Sequence, residues 1–436
     1  VLIKKTLSIG YWTFSLVVIY QLSGLIKNRN TQKIKNSLDV FFILNILFSF
    51  FNFAVIIFKI GDINPFTFTG NNFQYHMSTG DYIRGISFDA SSTNAFISLF
   101  GFIYYTTNRR YLLGIISFIV LLFTNSNMVN MILLTMLVIL FFQRGRFIKS
   151  LVVCFTGIIV VFYTQISPQA SAYIMNNFDS EYSVKLHHKK EAFEKNKILE
   201  QNRKDSIIRC YYPKSKMVNS NIKTSVKKNQ FVTSPIYVDS LFDNKLGVQS
   251  NFISDFINKN YGGNIELNDS LKAIKIPGKL LSYYQTIQLS FSGVKKCLIG
   301  SGAGNFSSKL AFKLSGIIDM NIDGVRGTKI NEDFKNNHLE IYCHYFSLDK
   351  AEHSAMNLPN SSFNQILGEY GFIGIILFIL FYLLFFLKRF RELSYGKYLI
   401  LVIVQALFID YWFEQLSVVI LFELLILLDL KNFQTS

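Results

Sequence analysis

The side chains able to do chemistry gather outside the apolar runs of this sequence. All six histidines, His76, His187, His188, His338, His344 and His353, fall in polar segments. Imidazole is the side chain whose ordinary pKa lies nearest neutrality. His353 stands ahead of the apolar run that begins at Phe372, which makes it the best-placed general base at a membrane mouth. The piece IGSGAGNFSSKLAFK, Ile299 to Lys313, carries glycines able to turn a row of backbone N–H groups toward an anion, with Ser307, Ser308 and Lys309 opening a helix toward a phosphate. The competing reading of this piece is a flexible turn between two helices. There is no GxxxxGK[ST] sequence and no strand-then-helix pattern ahead of the glycines, so no nucleotide site is indicated. Arg84 and Asp89 precede a further apolar run, where a guanidinium can clamp a diphosphate through two parallel hydrogen bonds or close on Asp89 as an ion pair. Asp410, Glu414 and Glu423 lie in or between the last two apolar runs and must face protein or water, as interfacial carboxylates or as a proton or ion path. Cys210, Cys297 and Cys343 share one polar segment without metal-ligand spacing, and a disulfide between two of them stays open.

The elements that must position these groups are membrane helices. Half the residues are hydrophobic and 44 are Phe, yet the formal net charge is +16. That mixture is expected when apolar spans alternate with Lys/Arg-rich loops, and it does not imply nucleic acid. Apolar runs occur at about 7–26, 38–60, 93–106, 111–123, 128–142, 151–164, 372–387, 398–412 and 416–428. A hydrocarbon core of about 30 Å needs roughly 20 residues of helix, so several runs are short for a crossing. The first run is followed by Lys27, Arg29, Lys33 and Lys35, the third by Arg109 and Arg110, the fifth by Arg144, Arg146 and Lys149, and the seventh by Lys388 to Lys397. Every second loop is therefore basic, the cytoplasmic signature. The alternation leaves Lys4 and Lys5 outside, as it would for an N-terminally truncated chain with a further span upstream.

These runs predict an all-α polytopic membrane protein of about nine spans with one large, mainly helical extracytoplasmic loop. Residues 1–164 form a bundle of six spans, 165–370 the loop or cap, and 371–436 the last three spans. Residues 180–229 are crowded with Lys, Arg, Glu and Asn, whereas 283–298 carries apolar residues at spacings that suit a core or interfacial helix. No internal repeat is visible, which gives no support to the repeat architecture common in transporters.

Together several of these pieces resemble the Wzy and O-antigen ligase superfamily of bacterial polysaccharide polymerases and ligases. The resemblance covers about 84–96, 122–130 and 278–387. It rests on a G-x-G-x-x-F type piece after a helix, at Gly302, Ala303, Gly304, Asn305 and Phe306. It rests equally on a polar return segment ending in Glu369, Tyr370, Gly371, Phe372, Ile373 and Gly374 ahead of a span. The chain departs from the common pattern at Asn360, where many members start a His-Asn-Ser-Tyr-type segment with His. It departs at Thr124 to Asn127, where Thr-x-Ser-Arg is common, and at Lys279, where Arg often stands.

The resemblance implies inverting glycosyl transfer, independent of any metal or other cofactor, on the outer face of the bacterial cytoplasmic membrane. A sugar hydroxyl of one lipid-linked repeat unit would attack the anomeric carbon of a glycan carried on undecaprenyl diphosphate. The protein's work is to hold two large substrates in line and to stabilise charge on the leaving diphosphate. Arg84, Lys279, Lys309 and Arg326 are the expected cationic clamp, with Gly302, Gly304 and Asn360 as further binding residues and His353 as base. The expected partners are the lipid-linked glycan, membrane lipid and polysaccharide assembly proteins. The alternatives are a ligase moving finished chains to another acceptor, a transporter of lipid-linked oligosaccharide, and a non-catalytic assembly scaffold.

Overall fold

The nine apolar runs fold as helix where they are described, except that the eighth leaves the helix after Ala406. The computed structural model describes residues 14, 17–27, 31–67, 83–87, 91–143, 145–167, 278–314, 331–347 and 355–435. The chain divides into two units, Val1–Tyr173 with Ser250–Ser436, and Ile174–Gln249, and all described residues belong to the first. The described residues of the predicted loop, 278–314, 331–347 and 355–370, thus go with the apolar helices. Among the described residues there is no strand.

The helices of the N-terminal half are α1 (Val17–Lys27), α2 (Thr31–Ile60), α3 (Ser91–Thr107), α4 (Tyr111–Phe123), α5 (Asn127–Gln143) and α6 (Arg146–Val161). They are followed by α7 (Gly278–Ser290), α8 (Val294–Ile299), α9 (Lys309–Leu314), α10 (Glu332–Asn336) and α11 (His338–Ser347). The last are α12 (Ser362–Phe378), α13 (Gly396–Ala406) and α14 (Leu416–Thr435). With no Gly or Pro in its 30 residues, α2 runs unbroken for about 45 Å at 1.5 Å per residue. Beyond Val161 the chain continues into a π-helical turn, Phe162–Ile166, and α12 passes through another at Ile379–Leu383 before a last turn at Leu384–Leu387.

Among the described residues three helices are long and apolar enough to cross a membrane: Thr31–Ile60, Ile148–Ile166 and Ser362–Glu392. Only 22%, 22% and 11% of their apolar windows are buried, so they stand at the periphery. Their outward residues, among them Leu47, Phe51, Phe58, Val160, Ile376 and Phe381, are large and apolar. So much exposed apolar surface needs an apolar solvent. The centre is different. From Thr93 to Tyr105 every residue of α3 is buried, and α14 is buried on nearly all sides through Val418, Phe422, Leu425 and Leu428. Helices apolar all round belong in such a position. Phe96 lies 4.1 Å from Trp412 between ring centroids, and Phe100 lies 6.4 Å from Phe422.

Polar contacts collect at two ends of this bundle. At one end Arg110 pairs with Asp39, Tyr104 meets Tyr395 edge-on, and Asp429 accepts the backbone N–H groups of Ser394 (2.7 Å) and Gly396 (2.8 Å). Here α3 closes in a Schellman turn, Arg110 N–H donating to the Tyr105 carbonyl (2.9 Å) and Arg109 N–H to that of Thr106 (3.3 Å). At the other end Asn64 donates to the Ile166 carbonyl (3.0 Å) and Thr93 to Gln415 (2.8 Å), and α7 and α8 pack against α12, with α11 against α7.

Candidate functional site

The two sequence pieces flagged separately, 302–306 and 369–374, interlock. The chain leaves α8 at Gly300 and crosses the backbone where α12 kinks at Gly371, whose φ of +67° and ψ of −164° are not helical. The crossing is backbone against backbone. A Cβ on Gly300 would stand 2.5 Å from the Glu369 carbonyl carbon, and one on Gly371 would stand 2.5 Å from the Leu298 carbonyl. Only glycine permits both the approach and the positive φ. Ser301 N–H donates to the Gly368 carbonyl (2.8 Å) and Gly302 N–H to that of Glu369 (2.9 Å).

Past the crossing the loop closes around one carboxylate. Glu369, 1% exposed, accepts the backbone N–H of Gly304 at Oε2 (2.7 Å) and those of Phe306 (3.1 Å), Ser307 (3.0 Å) and Ser308 (2.9 Å) at Oε1. The sequence-based expectation that these amides face a phosphate is therefore corrected: the nest exists, and its anion is Glu369. The physical reason is proximity, since the kink at Gly371 delivers this carboxylate directly beneath the turn.

A buried polar core adjoins the nest. The His338 ring lies 4.3 Å from that of Phe306, with Nε2 at 3.4 Å from both Thr286 Oγ1 and the Ser282 carbonyl. Its Nδ1 is buried without a hydrogen-bond partner among the described residues. Burial pushes the imidazole down to about 3, so the ring is neutral at ordinary pH. Thr286 donates to Asn364 Oδ1 (2.9 Å), and Asn364 Nδ2 donates to Ser282 Oγ (2.8 Å) and the Pro359 carbonyl (2.8 Å).

Lys279 is 2% exposed and its ammonium donates to the carbonyls of Asn360 and Ile409, the latter at 2.7 Å. Burial lowers it to about 8, with Asp410 opposing the shift. The reason for so costly a placement lies in α13, which stops at Ala406 and leaves carbonyls that need donors. Lys279 serves that of Ile409, Tyr283 that of Phe408, Phe363 N–H that of Leu407 (2.9 Å), and Ser362 N–H that of Asp410 (3.0 Å). Irregular backbone so buried persists only where protein satisfies its polar groups. Asn360 Oδ1 accepts from Tyr342, whose hydroxyl lies 3.0 Å from that of Tyr411.

Arg84 stands in a second clamped turn. Asn45 Nδ2 donates to Asn94 Oδ1 (2.7 Å), and Asn94 Nδ2 donates to Ser49 Oγ (3.0 Å) and to the Ile83 carbonyl (2.8 Å). Ile86 N–H reaches Asn45 Oδ1 and Gly85 N–H reaches Asn52 Oδ1, both at 3.1 Å. Gly85 has φ +58°, and a Cβ there would meet Asn45 Oδ1 at 2.5 Å. The Arg84 side chain is left exposed on a pinned backbone. This turn joins α3, whose start touches Gln415 and Trp412 a few residues beyond the carbonyl held by Lys279.

Of the expected site residues, the structure joins Lys279 to Asn360, and Gly302 and Gly304 to Glu369, while Lys309 opens α9 half-buried just past the nest. His353, Arg326 and Asp89 lie outside the described residues. Sequence reasoning missed His338, the anion role of Glu369 and the asparagines of the second turn. The signal for the last was present, as Asn45, Ser49 and Asn52 recur at helical spacing in an otherwise apolar run. Among the described residues no group of three His, Cys, Asp or Glu side chains could hold a metal ion. Family models, curated proteins and solved structures give no match to the chain.

Proposed function

We propose that this chain is a polysaccharide polymerase of the Wzy and O-antigen ligase kind, transferring a glycan from undecaprenyl diphosphate to a second lipid-linked repeat unit. The observation that carries the proposal is the interlock of 300–308 with 368–371, since the two pieces on which the resemblance rests meet around Glu369. Two distant pieces that pack as one body are what a site built from both requires.

In this reading the acceptor hydroxyl attacks the anomeric carbon, the bond from that carbon to the diphosphate oxygen breaks, and His353 takes the hydroxyl proton. Arg84, exposed on a fixed backbone, together with Lys309 and Arg326, carries the charge of the leaving diphosphate. Lys279 works as a positioning residue, holding the ends of α13 and of the Asn360 segment in register. The large loop is extracytoplasmic and the nine runs cross a bacterial cytoplasmic membrane. A ligase would use the same bond changes with a different acceptor.

The test is purified protein in lipid with authentic lipid-linked repeat units, a chelator and no nucleotide sugar. Elongation is expected, and it should fall by about two orders of magnitude in Arg84→Ala, the scale of losing one electrostatic donor. Properly inserted protein that never elongates its authentic substrate would overturn the proposal.

A further inference from the structure

At the end of the bundle opposite the nest lies a cavity of about 520 Å³ between α3, α5, α6 and the start of α13. We propose that it binds an anionic phospholipid of the surrounding bilayer, the phosphate on Arg109 and the first part of the chains in the apolar interior.

The volume lies within the range of about 300–1,000 Å³ usual for small-molecule sites. Its floor is apolar, with Phe102, Met136, Leu137 and Phe155 all buried. Its wall along α6 runs from Ile148 to Phe155, about 10 Å at 1.5 Å per residue. The mouth is polar, where Thr107, Arg109, Tyr111 and Ser394 line it, and no acidic residue is among the lining. Such a two-part shape suits an amphiphile. A soluble anion has no use for the floor, and a neutral chain has none for the mouth.

Charge and backbone point the same way. Arg110 is neutralised by Asp39, and Asp429 is engaged by the N–H groups of Ser394 and Gly396. Arg109 takes part in no ion pair among the described residues. Lys149 and Lys397 adjoin the lining residues Ile148 and Tyr398, each resting over a phenylalanine ring. Arg109 occupies the left-handed position of the Schellman turn, φ +62°, where glycine is the usual occupant. A long cation held in a conformation that disfavours it is the kind of local strain found at ligand sites. The neighbouring outward surface of α5 and α6, with Val138, Phe141, Phe142 and Val153 exposed, is what the bilayer would cover. Basic pockets between membrane helices are a known means of holding anionic head groups.

The experiment follows thermal unfolding of the full chain in uncharged detergent with phosphatidylglycerol, with phosphatidylcholine of the same chains, or with inorganic phosphate. Wild type and Arg109→Lys should gain more from phosphatidylglycerol than from phosphatidylcholine. Arg109→Gly should unfold at or above the wild-type midpoint without lipid, because the turn is relaxed, yet need about ten times more phosphatidylglycerol for the same gain. Should Arg109→Gly fail to fold, Arg109→Asn, neutral and tolerant of the same φ, is read in its place. The proposal is overturned if the preference survives in the neutral variant. It fails equally if phosphatidylcholine protects as well, or if inorganic phosphate alone reproduces the gain. A role of Arg109 confined to the helix dipole would lower the midpoint without lipid and leave the preference intact.

Discussion

Two buried clamps hold two turns at the capped end of the molecule, and they do so by opposite means. The turn at 300–308 is gathered by a single carboxylate, Glu369, which accepts four backbone N–H groups. The turn at 83–87 is gathered by three neutral amides, Asn45, Asn52 and Asn94, which share the work with Ser49 and Ser98. A single charge gives stronger bonds to each donor and leaves all of them bare if it is lost. Several amides give weaker bonds but can exchange partners. The first design suits a joint that must not open, the second a joint that can adjust.

The sharpest break in that comparison is Glu369→Ala. With roughly 1–3 kcal/mol for each buried donor left unpaired, the loss should exceed about 4 kcal/mol. Thermal unfolding in detergent should show it as a collapse of the midpoint, with Glu369→Gln intermediate because its amide turns one donor toward other donors. An unchanged midpoint for Glu369→Ala would show that the carboxylate is not what gathers the turn.

A middle effect comes from Lys279, the other costly group at this end. Its ammonium is held down to about 8 by burial, against 10.5 when exposed. Between those values the unfolded chain keeps the proton that the folded chain has released, so stability rises with pH across the window. The rise is on the order of 3 kcal/mol in full. Midpoints measured from about pH 7.5 to 10.5 should climb in wild type and flatten in Lys279→Met, and parallel curves would refute the placement.

The smallest effect is expected from Asn94→Ala, about 1–2 kcal/mol, since Asn45, Asn52 and the serines remain. Hydrogen exchange should quicken at 83–87 and stay unchanged at 300–308. Equal quickening at both turns would mean that the two clamps form one network.

The helices were legible because apolar runs announce themselves, and α4 spans 111–123 as the sequence predicts. The site was legible only in halves. Glycines at 300, 302 and 304 promise an anion nest, but the anion that fills it lies 65 residues away, and nothing local names it. The kink at Gly371 is equally hidden, because its cause is the crossing strand of chain near Leu298 and Gly300. Lys279 reads as a free cation until the carbonyls of Asn360 and Ile409 arrive beside it. In each case the missing information was a partner distant in sequence, whereas periodicity reports only on neighbours.

The π-helical turn at Ile379–Leu383, whose Tyr382 hydroxyl donates to Glu423 (3.0 Å), accommodates an extra residue within α12. One residue is worth about 100° of rotation around a helix. The stretch carrying Glu369 and the stretch running into Lys388 and Arg389 are thereby clocked separately. A single rod can then present one compass bearing to the joint above and another to the charged rim below.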